Sequence, residues 1–328
     1  MITPAVTFPT TLNPIIQNNL IPVFVDIDPT TYNVDVSNLK KAISKETKLL
    51  MLPHTLGNPN EMDTIMELAE ENDLFVIEDA CDALGSKYNG QYLSTFGDIG
   101  TFSFYPAHHI TMGEGGAVVT NNEEISYNVR SLRDWGRACV CPICTISINP
   151  DAYCPLRYSE NPIPNYDLRY TYINIGYNMK PLDLQAGIGL HQLNRLPLFI
   201  KKRKSNFNKL YHALTKFESY FILPKSLTSA DPCWFAFPIT VKDEAPFKCI
   251  DMTQFLEKHK IMTRRIFAGN ILKQPAYKDI NFRKVGNLEN SDMVMKSSFF
   301  IGIHPLIDEQ RLDYIIEIFE RFIRTVKS

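Results

Sequence analysis

Short apolar runs alternate with amphipathic stretches across residues 1–120 of the chain. Val23-Phe24-Val25-Asp26, Leu49-Leu50-Met51-Leu52, Leu74-Phe75-Val76-Ile77 and Thr101-Phe102-Ser103-Phe104 predict buried strands. Residues 37–44 and 61–71 predict helices between them. Strands alternating with helices build a mainly parallel sheet covered on both faces, the α/β class. Ligands of such sheets gather beyond the carboxyl ends of the strands, and Asp79 and Ser103 both fall there. A further helix is predicted over 122–134.

From Gly136 to Asn165 the pattern breaks into a segment rich in Cys, Pro and Asn. A loop of that length inside a compact chain is usually functional or disordered. Helical patterns resume over 181–196 and 200–217. Trp234-Phe235-Ala236-Phe237 reads as a strand, and 308–326 as an amphipathic terminal helix. The expected division is a large domain over 1–199, containing the Cys-rich loop 136–165, and a small α+β domain over 200–328.

With 328 residues, 45% of them hydrophobic, the chain can bury a core for two such domains. Its net charge is −2, and the basic run Lys201-Lys202-Arg203-Lys204 reads as the solvated face of a helix. Nothing suggests a basic groove, so nucleic acid is excluded as a partner. No apolar run reaches the roughly 18 residues of a membrane span. Met1-Ile2-Thr3-Pro4 lacks the basic and apolar regions of a signal peptide, which makes a reducing cytoplasmic location the default. The seven cysteines then read as thiols or metal ligands in preference to disulfides.

Candidate chemistry centres on two stretches. Asp79 closes the run Ile77-Glu78-Asp79-Ala80, and a carboxylate at a strand end is either structural or a partner for a cationic ring nitrogen. Further on, Tyr105-Pro106-Ala107-His108-His109-Ile110-Thr111 precedes Gly113-Glu114-Gly115-Gly116. An imidazole titrates near neutral pH and serves as a general base or acid. Cys139, Cys141 and Cys144 form a Cys-x-Cys-x-x-Cys pattern, with Cys81 before it and Cys154 after it. Spacing alone leaves iron–sulfur ligation, zinc ligation and free thiols open.

The two stretches together resemble the active site of the pyridoxal-phosphate sugar aminotransferases, the DegT/DnrJ/EryC1/StrS family. The resemblance implies the type I fold, with Asp79 at the pyridine nitrogen, Ser103 on the cofactor phosphate and Asn178 reaching the phosphate of a neighbouring subunit's cofactor. A homodimer follows from that last role. His54, in Pro53-His54-Thr55-Leu56-Gly57, falls near the site by the same resemblance. Relatives carry a Schiff-base lysine where this chain has His108. Without that lysine the cofactor is expected to be held non-covalently as pyridoxamine phosphate, with His108 as base. His109 is the weaker candidate for that role.

The motif 105–116, Arg133-Asp134-Trp135-Gly136-Arg137 and Phe267-Ala268-Gly269-Asn270 are similar to the iron–sulfur CDP-4-dehydro-6-deoxyglucose 3-dehydrase group of that family. That resemblance implies C3 deoxygenation of a CDP-4-keto-6-deoxyhexose for 3,6-dideoxysugars of lipopolysaccharide. It also implies a 2Fe–2S cluster on Cys81, Cys139, Cys141 and Cys154 and a flavin/iron–sulfur reductase as partner. Cys144 is the alternative fourth ligand, because the family's spacing is not kept here. Thr3-Pro4-Ala5-Val6 corresponds to positions well inside relatives, so about a hundred N-terminal residues, with a phosphate-cradling turn, are expected to be missing. Other readings are a cluster-free 3-dehydratase, a sugar aminotransferase, which would need lysine at 108, and an inactive binding relative of the fold.

Overall fold

The computed structural model describes residues 1–149, 151–158 and 161–327. Pro150, Ser159 and Glu160, within the expected loop 136–165, and Ser328 lie outside the described residues. The larger sheet has seven strands, in the spatial order Arg283–Lys284, Val23–Val25, Ile2–Pro4, Leu49–Pro53, Phe75–Asp79, Ile99–Ser103 and Gly116–Val119. All neighbours pair in parallel except the last two. Helices Val36–Ala42 and Met62–Glu71 lie where the periodicity put them and pack Leu39, Ala42, Ile65 and Leu68 against Leu50, Leu52 and Val76. Asp35 caps the first, accepting from the backbone N–H of Ser37 and Asn38.

The strands at the sheet centre are apolar along their length because both faces are covered. Leu50, Met51, Leu52 and Val76 are all buried. Their register, with Pro53 beside Asp79 and Asp79 beside Thr101, brings the polar strand ends level. Helix Pro9–Gln17, with its first-turn proline, follows strand Ile2–Pro4 and delivers Thr11 to the same edge.

A four-stranded antiparallel sheet, ordered Thr263–Arg264, Ser298–Gly302, Ala236–Val241 and Phe221–Ile222, forms the second core. Helices Leu196–Leu214, Cys249–Lys258 and Glu309–Lys327 cover it through Leu210, Leu214, Met252, Leu256, Leu312, Ile315 and Phe319. Each such side chain contributes about 1.5–3 kcal/mol by leaving water. The strand Arg283–Lys284 comes from the C-terminal part of the chain and pairs with Val23–Phe24 of the larger sheet.

The two sheets meet beside the strand ends. Phe235 donates its N–H to the carbonyl of Leu56 at 2.8 Å, and Ser86 Oγ donates to the Gly57 carbonyl at 2.7 Å. Gly57 has φ +90, and a β-carbon there would stand 2.4 Å from the Cys233 carbonyl oxygen. Only glycine allows both that backbone conformation and that approach.

Candidate active site

Asp79 ends its strand half-buried, with both carboxylate oxygens directed by neighbours. Thr11 Oγ1 donates to Oδ2 at 2.7 Å, and the Cys81 backbone N–H donates to Oδ1 at 3.2 Å. Each oxygen keeps a free lone pair for one more donor, such as a protonated pyridine nitrogen. Ser103 ends the neighbouring strand, and its Oγ accepts from the Tyr105 N–H at 3.3 Å.

The stretch after Ser103 turns back, so that Met112 N–H reaches the Phe104 carbonyl and Phe104 N–H reaches the Gly115 carbonyl, each at 2.8 Å. His108 sits on that turn, between the rings of Tyr105 and Phe235 at centroid distances of 6.4 and 5.3 Å. Its Nδ1 stands 3.2 Å from Asp82 Oδ1. Asp82 is buried, which raises its carboxyl above the usual range, although His108 beside it and Arg203 pull in the opposite direction.

His109 is buried, and its Nε2–H donates to the Cys233 carbonyl at 2.8 Å. Burial, reinforced by Arg203, holds it neutral well below the ordinary histidine range. That bond ties the turn to the 233–235 segment.

His54 belongs to a buried network behind the strand ends. Asn60 N–H donates to His54 Nδ1 at 3.1 Å, so the ring carries its proton on Nε2 and donates it to Glu78 Oε2 at 3.1 Å. Glu78 also accepts from the backbone N–H groups of Ser94, Phe96 and Gly97 at 2.8, 2.9 and 2.8 Å. Burial opposes the charge, but His54 and these donors outweigh it and hold Glu78 below the usual carboxylate range.

Asn178 is exposed and pairs through its backbone with Asp134. It makes no hydrogen bond to Asp79, Ser103 or His108 within the chain. Its surroundings are apolar and uncovered: Ile175 is 98% exposed and Leu184 76%.

The cysteines do not assemble as expected. Among the described residues no three His, Cys, Asp or Glu side chains are grouped to hold a metal ion. Cys81 lies instead beside Asp79, where its N–H donates to that carboxylate and its Sγ stands 3.9 Å from Thr101 Oγ1. Cys139, Cys141 and Cys144 do influence one another, burial and Cys141 raising Cys139, while hydrogen bonds from Ser147 lower Cys144. Cys154 is half-buried and outside any such group. The cysteine positions therefore do not fit a four-thiolate cluster in this arrangement.

Sequence reasoning missed Thr11, Glu78, Asp82 and Arg203. Arg203 was expected on a solvated helix face, yet it is 2% exposed and donates from Nη1 to the Phe235 carbonyl at 2.8 Å. A helical wheel carries the signal, since Arg203 shares the inward face with Phe207, Leu210 and Leu214. Asp82 could have been noticed as a second carboxylate one turn beyond Asp79.

The profile of the DegT/DnrJ/EryC1/StrS aminotransferase family matches residues 1–320. The chain belongs to that family. It is 46% identical to the lipopolysaccharide biosynthesis protein RfbH of Salmonella typhimurium, over 98% of this chain and 73% of that protein. It is 43% identical to the dTDP-4-dehydro-2,6-dideoxy-D-glucose 3-dehydratase of Saccharopolyspora spinosa, over 98% of this chain and 69% of that protein. Among solved structures, the E. coli GDP-4-keto-6-deoxy-D-mannose-3-dehydratase with bound hydrated PLP superposes with a TM-score of 0.84 at 30% identity, covering 97% of this chain and 79% of that one. The fold is thus the pyridoxal-phosphate aminotransferase type expected from the sequence. The chain thus spans about seven tenths of the length of these two relatives.

The donor set fits a pyridoxal-type cofactor held without a covalent tether. The Asp79 carboxylate retains acceptor capacity, Ser103 supplies a hydroxyl at the next strand end, and no lysine occurs between Phe102 and Gly116.

Proposed function

We propose that the chain is a 3-dehydratase of a nucleotide-linked 4-keto-6-deoxyhexose, working with non-covalently held pyridoxamine phosphate. The observation that carries this reading is the buried Asp82 carboxylate 3.2 Å from Nδ1 of His108, the residue that the sequence resemblance matches to the family's lysine. When bound, the cofactor supplies an amine for the sugar's keto group and a ring that disperses negative charge. Asp79 would hold the ring nitrogen protonated, while Thr11 and the Cys81 N–H keep its carboxylate aligned. Ser103 would accept the phosphate. His108 would take a proton at Nε2 from the cofactor's C4′ carbon and return it to the departing C3 hydroxyl, which leaves as water. Tyr105 and Phe235 flank the imidazole and limit water around it.

Dehydratase names among the relatives support the reaction class. A CDP-linked sugar, as the sequence motifs imply, is the version to test first, alongside the dTDP and GDP forms. A homodimer in which Asn178 reaches a neighbouring site is supported by the uncovered apolar surface around it. A 2Fe–2S cluster fed by a flavin/iron–sulfur reductase, which the sequence resemblance implies, has no grouped cysteines to hold it among the described residues. Iron analysis and low-temperature EPR after anaerobic reconstitution would detect such a cluster.

The test of the main reading incubates the chain, pyridoxamine phosphate and each 4-keto-6-deoxy sugar nucleotide, with product analysis by NMR and mass spectrometry. Loss of the C3 hydroxyl is expected, and His108→Asn should slow it by about 10²–10⁴-fold while still binding cofactor. A C4 amino sugar as the only product, or full turnover in His108→Asn, would overturn the reading.

A further inference from the structure

Asp82 faces the proposed base. It lies in the turn that follows Asp79, and that turn is rigid: Ala80 N–H reaches the Thr101 carbonyl at 3.0 Å, and Ala83 N–H the Ala80 carbonyl at 2.9 Å. The missing side chain of Gly57 admits the Asp82 carbonyl, which would stand 2.8 Å from a β-carbon there. Asp82 is 7% exposed, so its carboxylate has little access to water.

Its oxygens are poorly provided for. Oδ2 has no hydrogen-bond partner among the described residues, and neither has His108 Nδ1, although Oδ1 and Nδ1 are 3.2 Å apart. Two buried polar groups without other partners cost free energy unless they satisfy each other. A small rotation of the imidazole about its bond to Cβ would align them. Hydrogen bonds of catalytic groups are often misaligned before substrate arrives. Phe235 is tilted against the ring at 5.3 Å and Tyr105 meets it edge-on at 6.4 Å.

His108, the buried guanidinium of Arg203 and Asp79 are the charged or titratable groups that face Asp82. Arg203 cannot move away: Nη1 is bonded to the Phe235 carbonyl, and Cys233 and Asp82 lie near enough to oppose the effect of its burial.

We infer that Asp82 is a positioning residue that holds the His108 proton on Nδ1, leaving the Nε2 lone pair as the atom that accepts a proton from the substrate side. This rests on the reading of His108 as base. A ring with its proton on Nε2 presents a donor where an acceptor is needed, and a neutral amide in place of the carboxylate can stabilise that wrong form. The same carboxylate would stabilise the imidazolium formed once the proton has been taken up.

The experiment uses the full chain with ¹⁵N-labelled histidine and reads the His108 tautomer by long-range ¹H–¹⁵N NMR, with His108→Asn to assign the signals. The unmodified chain should show the proton on Nδ1 and a bare Nε2. Asp82→Asn should shift the population toward the Nε2–H form and lower kcat by on the order of 10²-fold or more, with pyridoxamine phosphate affinity and KM little changed. Asp82→Glu, which keeps the carboxylate, should restore much of the native tautomer. Finding the proton on Nε2 in the unmodified chain overturns the inference, whatever the variants do. So does an Asp82→Asn protein with native tautomer and native kcat. If His108→Asn is fully active, the proposed base itself fails, and if it is inactive while Asp82→Asn is native, only the role of Asp82 fails.

Discussion

Replacing Glu78 by Gln should cost stability through a count of donors that can be followed atom by atom. One carboxylate oxygen accepts from Phe96 N–H and Gly97 N–H, the other from Ser94 N–H and His54 Nε2–H. A glutamine brings one oxygen and one NH₂ to the same space. The oxygen must face Phe96 and Gly97, because both are backbone donors that cannot change role. The NH₂ then meets Ser94 N–H and His54, and His54 cannot simply accept instead. Its other nitrogen already accepts from Asn60 N–H at 3.1 Å, and a tautomer switch would set two donors against each other there. Two orphaned buried N–H groups, those of Ser94 and His54, cost about 1–3 kcal/mol each, giving roughly 4 kcal/mol in all. Urea unfolding at pH 7 should show a midpoint lower by about 1.3 M, taking a slope of about 3 kcal/mol/M. The sign with pH follows from the depressed carboxyl. Native Glu78 binds its proton less readily when folded, so its stabilisation is complete above the ordinary value of 4.5 and is lost as pH falls through the lower folded value. The gap between native and Glu78→Gln should therefore narrow in acid. A variant as stable as the native chain at pH 7, or a gap that persists unchanged in acid, would refute the reasoning.

Two further perturbations test the site from other sides. Thr11→Val removes the hydroxyl that donates to Asp79 Oδ2 at 2.7 Å and should weaken pyridoxamine phosphate binding by about fivefold, as read by fluorescence titration, with the thermal midpoint nearly unchanged. An unaltered affinity would show that Thr11 does not support Asp79's hold on the ring. Gly57→Ala combines a positive φ with a β-carbon 2.4 Å from a backbone carbonyl, so neither strain nor clash can relax through a flexible side chain. It should destabilise by more than about 2 kcal/mol and displace the 233–235 segment that carries Phe235 beside His108, lowering both thermal midpoint and turnover. A native midpoint would mean that the contact between the sheets is looser than the distances indicate.

The elements legible in the sequence are those whose own composition decides their place. Leu49–Pro53 and Phe75–Asp79 are apolar enough to need a buried sheet, and helix Glu309–Lys327 has an apolar stripe that needs a partner surface. Arg283–Lys284 is polar and exposed, and it becomes a strand only because Val23–Phe24 offers it an unpaired edge, which no local pattern records. The site divides in the same way. Asp79, Ser103 and His108 could be singled out because parallel strands end in a functional edge and because of the motif resemblance around residues 105–116. Thr11 and Asp82 become visible only when a helix from the start of the chain and a turn after Asp79 are brought beside them in space. The basic run at 201–204 shows the opposite failure, since charge suggests solvent while helical phase turns Arg203, alone among the four, into the fully buried position. A buried guanidinium is stable only where the fold supplies carbonyls and negative charge, and here these are the Phe235 carbonyl and the field of Asp82. The same buried guanidinium that misled the reading of the surface therefore opposes the burial that raises the Asp82 carboxyl next to His108. The least legible residue of the helix is thus one that the proposed proton transfer depends on.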